Sequence, residues 1–261
     1  MSAKKKYCLL LAISISGILT GLSGQNLPEV IALRELELNK ETNEIIFLNY
    51  YSQWCDLMTE HSKGASGWVM KGDRGNRSGD YIFAWTFNYK ATRDYYFPTS
   101  EMANYPQWNA VLTQFDFAAP KDPLVDSINS YTDFVVVGFN KMIAPQLGEI
   151  IAIRYFKVDE EKHDEFENFV IENYHPAYQA HIDGYYNYVL KGDRGDKADT
   201  YVLMTVFDKA DRRNEYFPVP LEPPSESFTE QQGPVLEIDE KFRTFLNENI
   251  DFDYTDYIVV F

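Results

Sequence analysis

The chain has 261 residues, 45% of them hydrophobic and 16% aromatic, and its 40 acidic against 24 basic side chains give a formal net charge of −16. That length and apolar content suffice for one large or two modest folded units with a real core. A surface this acidic repels phosphate backbones and anionic lipid, which argues against nucleic acid or a membrane surface as the partner.

In chain order, the opening MSAKKKYCLLLAISISGILTGLSGQN comes first. Lys4, Lys5 and Lys6 precede an apolar stretch from Tyr7 to about Thr20, and small residues follow at Gly21, Ser23 and Gly24. This is the three-part pattern of a secretory signal, so residues 1–24 are expected to be removed and the mature chain exported to a periplasmic or extracellular place. The apolar stretch is below the ~18 residues that a membrane span needs, so no span is expected after removal. Cys8 leaves with the signal, and Cys55 alone cannot form an internal disulfide.

Beyond the signal the chain repeats. VMKGDRG at 69–75 returns as VLKGDRG at 189–195, and a shift of 120 aligns 30–98 with 150–218 without a gap. The matched pairs include Arg34/Arg154, His61/His181, Gly64/Gly184, Tyr81/Tyr201, Phe87/Phe207 and Arg93/Arg213. At a shift of 123, SYTDFVVV falls on DYTDYIVV. The organisation predicted is a first repeat over 28–138, a connector at 139–148 and a second repeat over 149–261.

Each repeat reads in one order. An apolar strand (30–38; 150–158) leads through polar residues (39–44; 159–165) into a helix. Its apolar face carries Phe47, Tyr50, Trp54, Leu57 and His61, or Phe166, Val170, Tyr174, Ala177 and His181. Gly64 and Gly184 stand where a left-handed cap would end it. A strand (67–71; 186–191), a GDRG turn and an aromatic or β-branched strand (81–87; 201–207) follow. A second helical region begins near 90 or 209, breaks at Pro98 or Pro218 and resumes near 106–116 or 235–247. The last strand is FVVVG or YIVVF. The order β-α-β-β-α-β is the ferredoxin-like split unit. The fold class is therefore α+β: two such units can bury their open sheet faces together as an eight-stranded barrel with helices outside, a dimer within one chain.

This arrangement resembles the dimeric α/β-barrel superfamily, whose members include EthD-like, NIPSNAP-like and antibiotic-biosynthesis-monooxygenase-like families, in a fused form. The run FENFVIENYHPAYQAHIDGYYNYV at 166–189 is similar to an EthD-like helix bearing an aromatic, histidine and proline, followed by glycine and a tyrosine-bearing strand. Here His175 and Pro176 are adjacent where that family has a residue between them, and the first repeat has Cys55 and Asp56 instead. The resemblance implies a small-molecule cavity.

The residues offer several candidate sites, each with a plainer role beside it. Turn chemistry accounts for the glycines and aspartate of KGDRG but not for Lys71/Lys191 or Arg74/Arg194, which would suit an ion pair to a helix or a contact between halves. His61 and His181, in the last helical turn, could cap carbonyls on a partly buried face or serve as base or haem ligand. His175 lies among Tyr174, Tyr178 and Tyr185, where Pro176 would interrupt the helix and could turn a side chain towards a cavity. Those histidines with Tyr174 and Tyr178 form the candidate proton-transfer set. Arg34 and Arg154 interrupt apolar strand faces and need an anion, either Asp133 or Asp256 at the start of the last strand or a bound carboxylate. Tyr81, Trp85 and Tyr201 belong first to the core and second to the wall of a ligand cavity. No metal motif is present, since Asp193, Asp196 and Asp199 lack the rest of a calcium loop. No organic cofactor is evident, with haem as the open possibility. Three functions remain: an enzyme transforming a small apolar or aromatic molecule by His/Tyr proton transfer, a binder of haem or another planar ligand, and a filled structural or partner-binding barrel.

Overall fold

The computed structural model describes residues 28–98, 106–117, 120, 123–141, 145–219, 223–247 and 254–261. The expected signal, and residues 142–144 of the connector, lie outside them. The first half contains β1 (Val30–Leu38), α1 (Glu44–His61), β2 (Ala65–Gly75), β3 (Tyr81–Phe87), α2 (Lys90–Tyr96), α3 (Pro106–Gln114) and β4 (Val125–Phe139). The second contains β5 (Ile150–Phe156), α4 (His163–Phe169), a π turn (Val170–Tyr174), α5 (His175–His181), β6 (Tyr185–Gly195) and β7 (Tyr201–Phe207). It continues with α6 (Ala210–Tyr216), α7 (Glu226–Gln232), α8 (Leu236–Arg243) and β8 (Tyr254–Val259). No helix among the described residues is long and apolar enough to cross a membrane.

The strands close into one antiparallel barrel in the order β1-β3-β2-β8-β5-β7-β6-β4. Within each half the spatial order is the ferredoxin-like one, and the halves join at two seams, β2 on β8 and β4 on β6. Closure leaves no strand edge unpaired. The period of two along each strand sorts the side chains. One set, including Ile31, Leu33, Ile82, Phe134, Ile151, Ile153, Val202, Met204 and Tyr257, meets inside the barrel and packs it. The other set faces the helices and forms a core in each half. The aromatic row Tyr81, Phe83, Trp85 and Phe87 therefore lies under helices, and the barrel interior is mainly aliphatic.

Local chemistry explains the helix ends. Asn43 caps α1 by accepting from the Ile45 amide at 2.9 Å, and Gly64 and Gly184 follow the helices with φ of +81° and +63°. Pro176 does not break the second helix as the sequence leads one to expect. Its missing N–H is absorbed by the π turn, in which the His175 amide reaches back to the Val170 carbonyl. That turn adds a residue. Phe47 packs edge-on to Tyr81 and Phe166 edge-on to Tyr201, a correspondence of 119 positions rather than 120.

The repeated KGDRG is not itself the turn. It ends β2 and β6, with a register shift at Asp73 and Asp193, and the chain reverses over the next four residues. Each of its residues has a separate task. Lys71 and Lys191 pair with Glu44 and Glu167 of their own helices, both at 2.7 Å. Arg74 crosses to Asp256 at 2.7 Å, and Arg194 crosses to Asp133 at 2.5 Å. Asp73 receives Arg213 and Asp193 receives Arg93, both from the opposite half at 2.5 Å. A Cβ on Gly75 or Gly195 would stand 2.3 or 2.1 Å from a backbone carbonyl of the facing strand. The motif fastens the halves together.

Candidate functional site

The two sheet–helix layers are built on the same register but filled differently. Across the second half, helix-facing neighbours run Asp256, Ala152, Thr205, Asn187 and, one row along, Tyr254, Arg154, Leu203, Val189. The first half has Asp133, Ala32, Trp85, Gly67 and then Tyr131, Arg34, Phe83, Val69. Above these rows, α1 presents Trp54, Cys55 and Met58 where the second half presents Tyr174, His175 and Tyr178.

In the first half the space is taken by indoles. Trp54 stacks on Phe83 with centroids 4.8 Å apart, and Trp108 from α3 closes on both Trp54 and Trp85 at 5.8 Å. A Cβ on Gly67 would already lie 3.2 Å from the Trp85 ring, so glycine here makes room for tryptophan. The layer is closely packed.

In the second half the same space holds a polar network. Thr205 donates to the Asn187 side-chain carbonyl at 2.8 Å, and the Asn187 amide donates to the Tyr174 hydroxyl at 3.3 Å. Tyr178 donates to Asp239 of α8 at 2.7 Å, and Gln232 donates to the other oxygen of the same carboxylate. The rings of Tyr174 and Tyr178 lie 4.7 Å apart, and Tyr185 stacks on Tyr178 at 5.6 Å. Burial pushes the Tyr174, Tyr178 and Tyr185 hydroxyls up, so all three stay protonated donors. Burial also raises the Asp239 carboxyl, against the pull of its Tyr178 and Gln232 donors.

Solvent reaches this layer. Arg154 and Leu203, paired across β5 and β7, both keep partial exposure beneath the helices. Their counterparts Arg34 and Phe83 are only 7% and 2% exposed. The arginines differ in partner as well. Arg34 donates to Asp133 at 2.8 Å, as expected from the sequence. Arg154 does not meet Asp256; its guanidinium lies over the Tyr254 ring at 5.0 Å.

The other sequence candidates are spread out. His175 is buried, its ring edge against Gly138, and neither ring nitrogen has a hydrogen-bond partner of normal geometry. Burial lowers its pKa to about 4, and the nearby Gly138 backbone offsets only part of this. It is neutral and flanks the tyrosine network without joining it. His61 is partly buried and stacked on Phe115 at 3.8 Å, as its place on the apolar face leads one to expect, whereas His181 is exposed. Tyr81 and Tyr201 donate to Glu44 and Glu167 beside the lysine pairs, and Trp85 belongs to the packed first half. Sequence reasoning missed Asn187, Thr205 and Asp239. The signal for the first two was present, as polar residues facing Gly67 and Trp85 in the repeat; Asp239 lies beyond the gap-free stretch of that repeat.

No protein-family profile and no curated protein matches the chain. Solved structures do. An anthrone oxidase-like protein is 12% identical, with 89% of this chain and 91% of that one covered and a TM-score of 0.51. A candidate monooxygenase from Lactobacillus acidophilus NCFM is 9% identical over 90% and 95%, at 0.54. A third, from Fusobacterium nucleatum subsp. nucleatum, is 13% identical over 91% and 94%, at 0.52. At such identities the likeness is one of fold. The chain is an α+β protein with the dimeric α/β-barrel architecture, completed within a single polypeptide.

Proposed function

We propose that this chain is a small-molecule-handling barrel whose ligand enters the sheet–helix cleft of the second half, while the first half serves as scaffold. The observation that carries this reading is the asymmetry between matched positions: Arg154 and Leu203 remain open to solvent above a polar floor, whereas Arg34 and Phe83 lie sealed under tryptophan. The EthD-like run supports it, because Tyr174, Tyr178, Tyr185 and Asn187 all come from residues 166–189. The anthrone oxidase-like and monooxygenase descriptions of the fold neighbours support a small-molecule role. The opening signal-like segment supports export of the mature chain.

Proton transfer in this cleft falls to tyrosine and aspartate rather than histidine. Tyr174 faces the floor at Asn187, its ring packs on Tyr178 at 4.7 Å, and Tyr178 donates to Asp239. A ligand proton accepted at the Tyr178 hydroxyl is matched by transfer of the Tyr178 proton to the Asp239 carboxylate, which burial makes a better acceptor than an ordinary one. The histidines do not favour haem. Gly138 covers the Nε2 edge of His175, His163 Nε2 bonds the Val158 carbonyl at 3.0 Å, His61 is stacked and His181 is at the outer surface.

Native mass spectrometry after mild purification tests the reading. A copurifying small molecule is expected, lost in Thr205→Trp, which installs the first half's indole in the cleft. An adduct that survives this substitution in folded protein would move the site elsewhere, and a Soret band on adding haem, abolished by His175→Ala, would restore the haem alternative.

A further inference from the structure

Resting on that reading, we propose that the cleft selects small aromatic carboxylates, and that Arg154 is the group that receives the carboxylate. An ion pair made in one half is unmade in the other. Arg34 spends its donors on Asp133 Oδ1 at 2.8 Å, the Leu33 carbonyl at 3.0 Å and the Thr132 carbonyl at 3.3 Å. Arg154 makes no hydrogen bond and no ion pair among the described residues, although a guanidinium carries five donors. By register its partner should be Asp256. There Oδ2 is held by Arg74 and Arg213, both at 2.7 Å, while Oδ1 is buried without a partner of normal hydrogen-bond geometry. Arg154 thus lies away from that oxygen and over the Tyr254 ring.

Charge and shape narrow the ligand. Among the described residues Asp256 and Asp73 pair with Arg74 and Arg213, Asp239 is held by Tyr178 and Gln232, and none pairs with Arg154, whose single positive charge suits a monoanion better than a phosphate dianion. Its planar fork matches the two oxygens of a carboxylate. Tyr254 beneath the guanidinium and the partly exposed Leu203 beside it on β7 suit a hydrocarbon body. The protein's overall charge of −16 opposes any anion, but at physiological ionic strength charges more than about 8 Å away are largely screened, so the nearest guanidinium decides. Because Arg154 is partly exposed, a ligand can reach it without unfolding the layer.

Calorimetric titration with benzoate and with benzamide, its uncharged analogue of the same shape, tests this on the full chain. Benzoate is expected to bind about tenfold or more tightly than benzamide, as a charge-assisted pair implies. Arg154→Gln should abolish the preference, Arg154→Lys should keep part of it, and Thr205→Trp should remove binding of both. Equal binding of the two probes, or no effect of Arg154→Gln, overturns the carboxylate assignment; if Thr205→Trp still abolishes binding, the cleft itself stands. Failure of benzoate to bind, while a copurified molecule is lost from Thr205→Trp, overturns the ligand class alone.

Discussion

His175 illustrates how a single side chain can be buried without being put to work. It is 3% exposed, its nitrogens are unpartnered and its pKa is lowered to about 4. An unfolded chain would protonate the same imidazole near pH 6.5. Between those values the unfolded state binds more protons, so stability falls as pH drops from about 6.5 towards 4, and above 6.5 the residue contributes no pH dependence. The full effect is on the order of 3 kcal/mol. Urea unfolding of wild type and His175→Leu at pH 7 and pH 4.5 should show the wild type losing about 2–3 kcal/mol more than the variant. Equal losses would mean that the folded protein accepts a proton at this site. The substitution pattern between halves agrees with a packing role: His175 lies on Gly138, and the residues 120 and 123 positions away are Cys55 and Phe261, small for large and large for small.

At the scale of elements, the end of each hairpin's first strand is the best-determined piece of the fold. Lysine holds the strand to its own helix, while arginine and aspartate reach into the other half. Gly195 adds a steric condition, since it has φ of +105° and its absent Cβ would collide with the Tyr131 carbonyl across the β4–β6 seam. Gly79 has a similar φ of +93° but open space around it. Gly79→Ala should therefore cost only backbone strain, about 1–3 kcal/mol, and Gly195→Ala clearly more by urea unfolding, because a seam strand must also move. Equal costs would show that the seam yields freely. The π turn is the opposite kind of feature. It was invisible in the sequence because an added helical residue and a loop one residue shorter cancel, leaving the repeat ungapped, while Pro176 alone suggested a break.

For the whole molecule, the internal repeat makes the fold legible in the amino-acid sequence: two β-α-β-β-α-β units, each with one open sheet face, can hide both faces only against each other. The site was less legible. Periodicity places Tyr174 on a buried helix face, though with Ala177 rather than Tyr178 beside it, and it cannot say that the layer is polar, since this depends on Asn187 and Thr205 facing it from two strands and on Asp239 from a helix beyond the repeat's clear register. Nor could it say that the matched arginines part company, because Asp133 and Asp256 occupy identical positions. What separates the halves is packing: Trp54, Trp85 and Trp108 cover Phe83 and Arg34 in one, while Leu203 and Arg154 keep partial exposure in the other. Water-to-side-chain cross-relaxation by NMR on the unliganded protein tests this most directly. The Leu203 methyls and the Arg154 Nε–H should contact water, while the Trp54 and Trp108 indole N–H groups should not. A dry Leu203, with Arg154 hydrogen-bonded to Asp256, would contradict the account.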